Sequence, residues 1–139
     1  MASMTIDQRD AFLRETRIAT LVTLDSDGAP VPVPVWYEWD GARARLFTSR
    51  DSHKVARIQN DARVSLSVAE PVGVPEAWVS VEGTATVEKN GGFALAEHLA
   101  RRYYTADKAA AVLPQWERLA GQWVVIVIEP VRIRSSAPE

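Results

Sequence analysis

Prolines at every second position, in "PVPVPVWYEW" from Pro30 to Trp39, constrain this chain more than any other feature. Proline has no N–H to give to a β-ladder, so within a sheet it is confined to an edge or a bulge. Each proline also drives the residue before it into extended geometry. Pro30, Pro32 and Pro34 share one parity, so the gaps in the donor row fall on one side of the strand. Val31, Val33 and Val35 then share one face. The run reads as a strand at a sheet margin or seam, with the proline carbonyls and valine N–H groups left for another partner.

The flanking segments fit the same sheet. Ile18 to Asp25 is apolar on both parities, as in a strand covered on both faces, and Ser26-Asp27-Gly28 is hairpin turn chemistry. Asp40-Gly41 is a second such turn, leading into Arg43 to Thr48. Arg63 to Val68 alternates apolar with polar, and Glu70 to Glu76 is a loop. Trp78 to Val87 alternates again, with Val79, Val81, Ala85 and Val87 inward and Gly83 at a bulge or a close backbone approach. Trp123 to Ile128 is apolar on both parities, and Arg132 to Glu139 is expected to be a frayed polar tail.

Helical patterns stand between and beside these strands. Thr5-Ile6-Asp7-Gln8 is a capping box opening a helix to about Arg17. A short helix is expected over His53 to Ile58, then Phe93 to Tyr104 and about Ala106 to Leu119. About six strands joined largely by hairpins, with helices segregated to the ends and one crossover, predict a mainly β fold: one domain over residues 1–139, a six-stranded antiparallel barrel with flanking helices. The doubly apolar strands need a second cover, supplied by a helix or by a second subunit, so a homodimer is expected.

Composition closes off several functions. With 139 residues, 47% of them hydrophobic, the chain can bury one core. A net charge of −2 argues against nucleic-acid binding. There is no apolar run of the roughly 20 residues that cross a bilayer and no secretory signal, so a soluble, cytoplasmic protein is expected. The chain has no cysteine, and only His53 and His98 could offer imidazole, so no metal site is expected.

One stretch collects chemistry without an obvious structural need for it. In "LFTSRDSHKVARI" a strand ends in Thr48-Ser49-Arg50-Asp51-Ser52 and a helix starts at once with His53-Lys54. A helix N-terminus offers free N–H groups and the positive end of the dipole; three hydroxyls, a guanidinium and an ammonium beside it suit a phosphate. Ser52 can also cap the helix. A plain N-cap with solvated cations is the competing reading, but it leaves Lys54 in the first turn, where a cation opposes the dipole.

In this segment, together with "WVSVEGTATV" from Trp78, the chain resembles the pyridoxamine-phosphate-oxidase-like split β-barrel family of flavin and deazaflavin oxidoreductases, over about Arg17 to Tyr104. The resemblance rests on the hairpin Thr23 to Val35, the loop Phe47 to Lys54, the run Asn60 to Ser65 and Val81-Glu82-Gly83-Thr84-Ala85. It implies a homodimer with the cofactor in the inter-subunit groove. Thr48, Ser49, Ser52 and Lys54 would hold its phosphate; Arg50 could compensate for His53, which stands where many relatives have arginine. Val33, Pro34, Val35 and Trp36 would run beside the ring system, and Trp78 matches a position that tends to approach it.

The resemblance allows coenzyme F420, FMN or, in some branches, haem. Haem lacks a persuasive axial ligand, and the short C-terminus and Pro32 depart from true pyridoxamine-phosphate oxidases. Similarity to an actinobacterial branch and a composition suited to a GC-rich genome favour F420, with FMN as the alternative. The expected reaction is hydride transfer between reduced F420 and a small electron-poor quinone or enone. A flavin or F420 carrier without turnover, or a structural dimer with an empty groove, are the rival readings. No catalytic residue is assigned; Tyr37 and Glu38 are candidate acids only by proximity.

Overall fold

In the computed structural model, which describes Met1 to Glu139, the run from Pro30 to Trp39 is two strands rather than one. β1 (Ala19–Leu24) returns through the Asp27-Gly28 turn as β2 (Pro30–Val35); Trp36 and Tyr37 interrupt the pairing, and β3 (Glu38–Trp39) follows. With β4 (Ala44–Ser49), β5 (Arg63–Ala69), β6 (Trp78–Glu88) and β7 (Trp123–Ser136) they form one antiparallel sheet of seven strands, in the order β2-β1-β5-β6-β7-β4-β3. The expected count of six therefore becomes seven.

β2 and β3 are the two opposite edges of this sheet, yet only Trp36 and Tyr37 separate them in sequence. Three extended residues span at most about 10 Å. The sheet must therefore curl until its edges meet. It forms a half-barrel whose margins are joined by the chain itself rather than by a ladder.

The prolines sit where their chemistry allows. β2 is an edge strand, and its register pairs Thr23 with Val31, Leu21 with Val33 and Ala19 with Val35. The Asp25 N–H donates to the Ala29 carbonyl at 2.8 Å, which fixes the alternation: the valines exchange bonds with β1 and the prolines face the open edge. The valine N–H groups are thus consumed, contrary to the expectation that they stay available. The open edge offers proline carbonyls alone.

Rows running across the strands define the two faces. Val33–Leu21–Leu66–Val81 and Val35–Ala19–Val68–Val79 point inward, joined there by Leu13, Tyr37, Leu46, Ile126 and Ile128. Helix α1 (Ile6–Arg14) carries the Thr5–Gln8 capping box and ends three residues short of Arg17. Arg17 acts instead as a clamp: it bonds the Phe12 carbonyl and the Glu70 carboxylate, with its guanidinium 3.7 Å from the centre of the Phe12 ring. Helix α2 (His53–Asn60) sends Val55 and Ile58 into the same core.

β7 meets its need for two covers within the chain. Val124, Ile126 and Ile128 enter the barrel, while Val125 and Val127 pack on Leu95 and Leu99 of α3 (Gly92–Tyr103). Helix α4 (Ala106–Arg118), capped by Thr105, packs on α3 in turn. β1 has no such outer cover, and Ile18 beside it is 55% exposed.

The C-terminal segment is not a frayed tail. Arg132 to Ser136 continues β7 and pairs with Trp78 to Glu82. The register shifts at Glu82/Gly83, where Gly83 faces Pro130 and Val131 is the extra residue. This bulge absorbs a proline that cannot donate to the ladder. The alternation Arg132, Ile133, Arg134 was the strand signal, with only Ile133 packing against the core.

Candidate functional site

β4 delivers Phe47, Thr48 and Ser49 to its C-terminal end, and four residues later α2 begins. Between them, Ser52 has extended backbone (φ −68°, ψ 151°) and its N–H bonds the Ser49 carbonyl at 3.0 Å. Its hydroxyl makes no capping bond, contrary to the capping role allowed for it. That hydroxyl is buried and has no hydrogen-bond partner. An unpartnered buried polar group costs about 1–3 kcal/mol.

Lys54 follows two residues later, in the first turn of the helix. Its Nζ donates to Thr48 Oγ1 at 3.0 Å, and Thr48 is itself buried. No carboxylate pairs with the ammonium. Burial, assisted by the nearby Arg57 charge, holds its pKa below the ordinary 10.5. Arg57 turns its Nε to the fully buried Thr23 Oγ1 at 2.6 Å. The N-terminal end of α2 therefore gathers a free buried hydroxyl, backbone N–H groups and uncompensated positive charge, a donor set suited to an oxyanion.

Lys54 also lines a cavity of about 500 Å³ with Ile18, Pro34, Val35, Trp36, Phe47, Tyr104 and Trp116. That is within the range of small-molecule sites. The seam where the sheet's edges meet supplies Pro34 to Trp36; α4 and the residue before its cap supply Trp116 and Tyr104. Trp36 is the hub of the aromatic wall: it stacks on Tyr103 at 5.0 Å, meets Tyr104 edge-on at 4.7 Å and lies 6.4 Å from Trp116. Phe47 packs on Trp116 at 5.7 Å and on Trp123 at 5.8 Å.

The structure thus brings Pro34, Val35, Trp36 and Lys54 to one cavity, with Thr48 bonded to the Lys54 ammonium behind it and Ser52 at the N-cap of the same helix. It leaves the other candidates outside. Val33 packs against the barrel core, and Ser49 Oγ accepts the Asp51 N–H at 3.4 Å. Arg50 and His53 are exposed, and Arg50 is anchored through its backbone N–H to Gln122 at 2.7 Å. Trp78 stands opposite Ala69, three strands from β2, and does not line the cavity. Of the candidate acids, Tyr37 is fully buried and donates to the Leu13 carbonyl at 2.8 Å, and Glu38 lies 3.4 Å from His98 Nε2 on another face. Neither reaches the cavity. Ile18, Phe47, Tyr104 and Trp116 are lining residues that sequence reasoning did not single out. A tryptophan among the polar residues that end α4 was the one available signal.

Known proteins share this architecture. The family model of pyridoxamine 5'-phosphate oxidase matches residues 5–137. Among solved structures, a conserved hypothetical protein of Mycobacterium tuberculosis is 26% identical, with 96% of this chain and 85% of that one covered at a TM-score of 0.79. An F420 reductase is 24% identical over 89% of this chain and 94% of its own, at a TM-score of 0.71. An FAD-binding protein of Mesorhizobium loti is 19% identical over 96% and 93%, at a TM-score of 0.69. No curated protein matches the chain. Since the family model spans nearly the whole sequence and the half-barrel carries the same fold, the chain belongs to the pyridoxamine 5'-phosphate oxidase family.

Proposed function

We propose that the chain is an F420-dependent oxidoreductase that transfers hydride between reduced F420 and a small electron-poor quinone or enone, and that it does not oxidise vitamin B6. The observation that carries this reading is the N-terminal end of α2. A half-buried Lys54 ammonium with no counter-ion lines an aromatic-walled cavity, and the Ser52 hydroxyl at the N-cap of its helix is buried without a partner. A phosphoryl group there would accept from Ser52, neutralise Lys54 and meet the positive end of α2. These residues fit a phosphorylated cofactor. When bound, F420 supplies the hydride chemistry; the chain binds it, orients the ring against Pro34 to Trp36 and excludes water with Trp36, Phe47 and Trp116.

The reading includes a homodimer. The outer face of β1, β5 and β6 has no helix over it, and a second copy seated there would complete the groove. Trp78 stands on that face, so it would serve the partner's site rather than its own.

Titration of F420 and of FMN into wild type and Lys54→Ala, followed by turnover with a panel of quinones and enones, tests the reading. F420 binds, and loss of the charge-assisted contact weakens it about 10- to 100-fold. Binding without turnover would make the chain a carrier, and a preference for FMN would make it a flavoprotein. If neither cofactor binds, or the substitution leaves affinity unchanged, the assignment of the loop fails.

A further inference from the structure

The cavity holds one group with no part in the reading above. Of the chain's three tyrosines, Tyr37 donates its hydroxyl to Leu13 inside the core, and Tyr103 donates to the Arg17 carbonyl at 2.7 Å while accepting the Tyr37 N–H at 3.3 Å. Tyr104 alone keeps a phenol without a hydrogen bond. Its ring lines the cavity edge-on to Trp36, with the Lys108 ammonium 5.6 Å from the ring centre. The other polar groups of the lining are the Lys54 ammonium, already engaged with Thr48, and two indole N–H groups. An indole N–H donates a hydrogen bond but does not release its proton. Ile18, Pro34, Val35 and Phe47 are apolar, and the one cation of the lining, Lys54, is assigned above to the cofactor's phosphate, so an anionic substrate would find no second counter-charge there.

We infer that Tyr104 donates a hydrogen bond, and then a proton, to the carbonyl oxygen of a flat, uncharged substrate seated against Trp36 and Trp116; the proton step rests on the proposed hydride transfer, while the binding step does not. A hydride arriving at the carbon β to the carbonyl brings both electrons of the new C–H bond. The C=C π pair shifts so that negative charge collects on the carbonyl oxygen. The Tyr104 O–H then breaks, its proton bonding to that oxygen and its electron pair remaining on the phenolate, which solvent reprotonates. The enol so formed tautomerises to the saturated ketone; when the substrate is a quinone, the carbon that took the hydride instead loses a proton to solvent while the second carbonyl oxygen gains one, giving the hydroquinone. A donor placed where charge develops is worth most in a water-poor site.

Trp36 and Trp116 make binding visible by quenching of intrinsic fluorescence. In cofactor-free protein, menadione quenches wild type, and Tyr104→Phe binds it about 3- to 10-fold more weakly. F420 affinity is the same in both proteins. With F420 loaded, oxidation of the reduced cofactor by menadione slows about 100-fold or more in the variant, and the solvent deuterium isotope effect of wild type disappears. Far-UV circular dichroism verifies that the variant is folded. Equal menadione affinity in the two proteins, no quenching of wild type, or an unchanged rate and isotope effect overturns the inference. If F420 binds neither protein, the proposed function fails, and the menadione titration still decides the role of Tyr104.

Discussion

Lys54 shows how one residue can be a liability for the free chain and an asset for the complex. Burial depresses the ammonium's pKa below 10.5, so the free protein gives up this proton earlier than an exposed lysine does. An oxyanion binds only the protonated form. F420 affinity is therefore full well below the depressed pKa and falls as pH rises through it, before pH 10.5 is reached. Titrations between about pH 7 and 10 will show this decline in wild type. In Lys54→Arg, whose side chain does not titrate there, the profile is flat. A flat wild-type profile would separate Lys54 from the phosphate. The unpartnered Ser52 hydroxyl argues the same way: chemistry that a bare helix cap would satisfy locally is left open.

At the scale of the element, the join between β6 and β7 decides whether the C-terminal segment is a strand. A Cβ at Gly83 would collide with the Glu129 backbone carbonyl, so the bulge at Pro130 exists only because residue 83 has no side chain. Gly83→Ala is expected to destabilise the protein by about 1–3 kcal/mol or more in urea unfolding, as overpacking against rigid backbone does. Gly121→Ala, where an added methyl meets nothing within 4 Å, stays near wild type. Equal stability of the two variants would show that β7 is not held against β6 at this point. The sequence made Gly83 conspicuous because glycine interrupts a clean alternation. It hid the continuation past Pro130, because one extra residue, Val131, inverts the alternation that follows. The hairpins and the proline edge were legible because turn chemistry and parity are local. The cavity was only half legible: Pro34 to Trp36 and Lys54 lie within two short segments, whereas Tyr104 and Trp116 arrive from a helical pair whose docking no local pattern encodes.

The whole molecule is organised by the uncovered face of its half-barrel. Two outer rows, Pro34–Thr20–Ser67–Ser80–Arg134 and Pro32–Val22–Ser65–Glu82–Arg132, run across five strands. Their central side chains are small, which lets another backbone approach closely. Exposed Ile18 and Val131 stand at their margins. The single cover available in the chain, α3, is already spent on β7 and β4. A second copy laid on these rows would bury the outer side of β1, and a stable contact of this kind buries roughly 800 Å² per partner. Sedimentation equilibrium is expected to give twice the 15.4 kDa chain mass at micromolar concentration. Ser67→Arg, set in the middle of the face and away from the cavity, should yield a folded monomer with weakened F420 binding, since each groove would lose its other wall. A monomeric wild type would remove the dimer. A monomeric Ser67→Arg protein that binds F420 like wild type would leave the dimer standing and place the whole site within one chain, with Trp78 outside it.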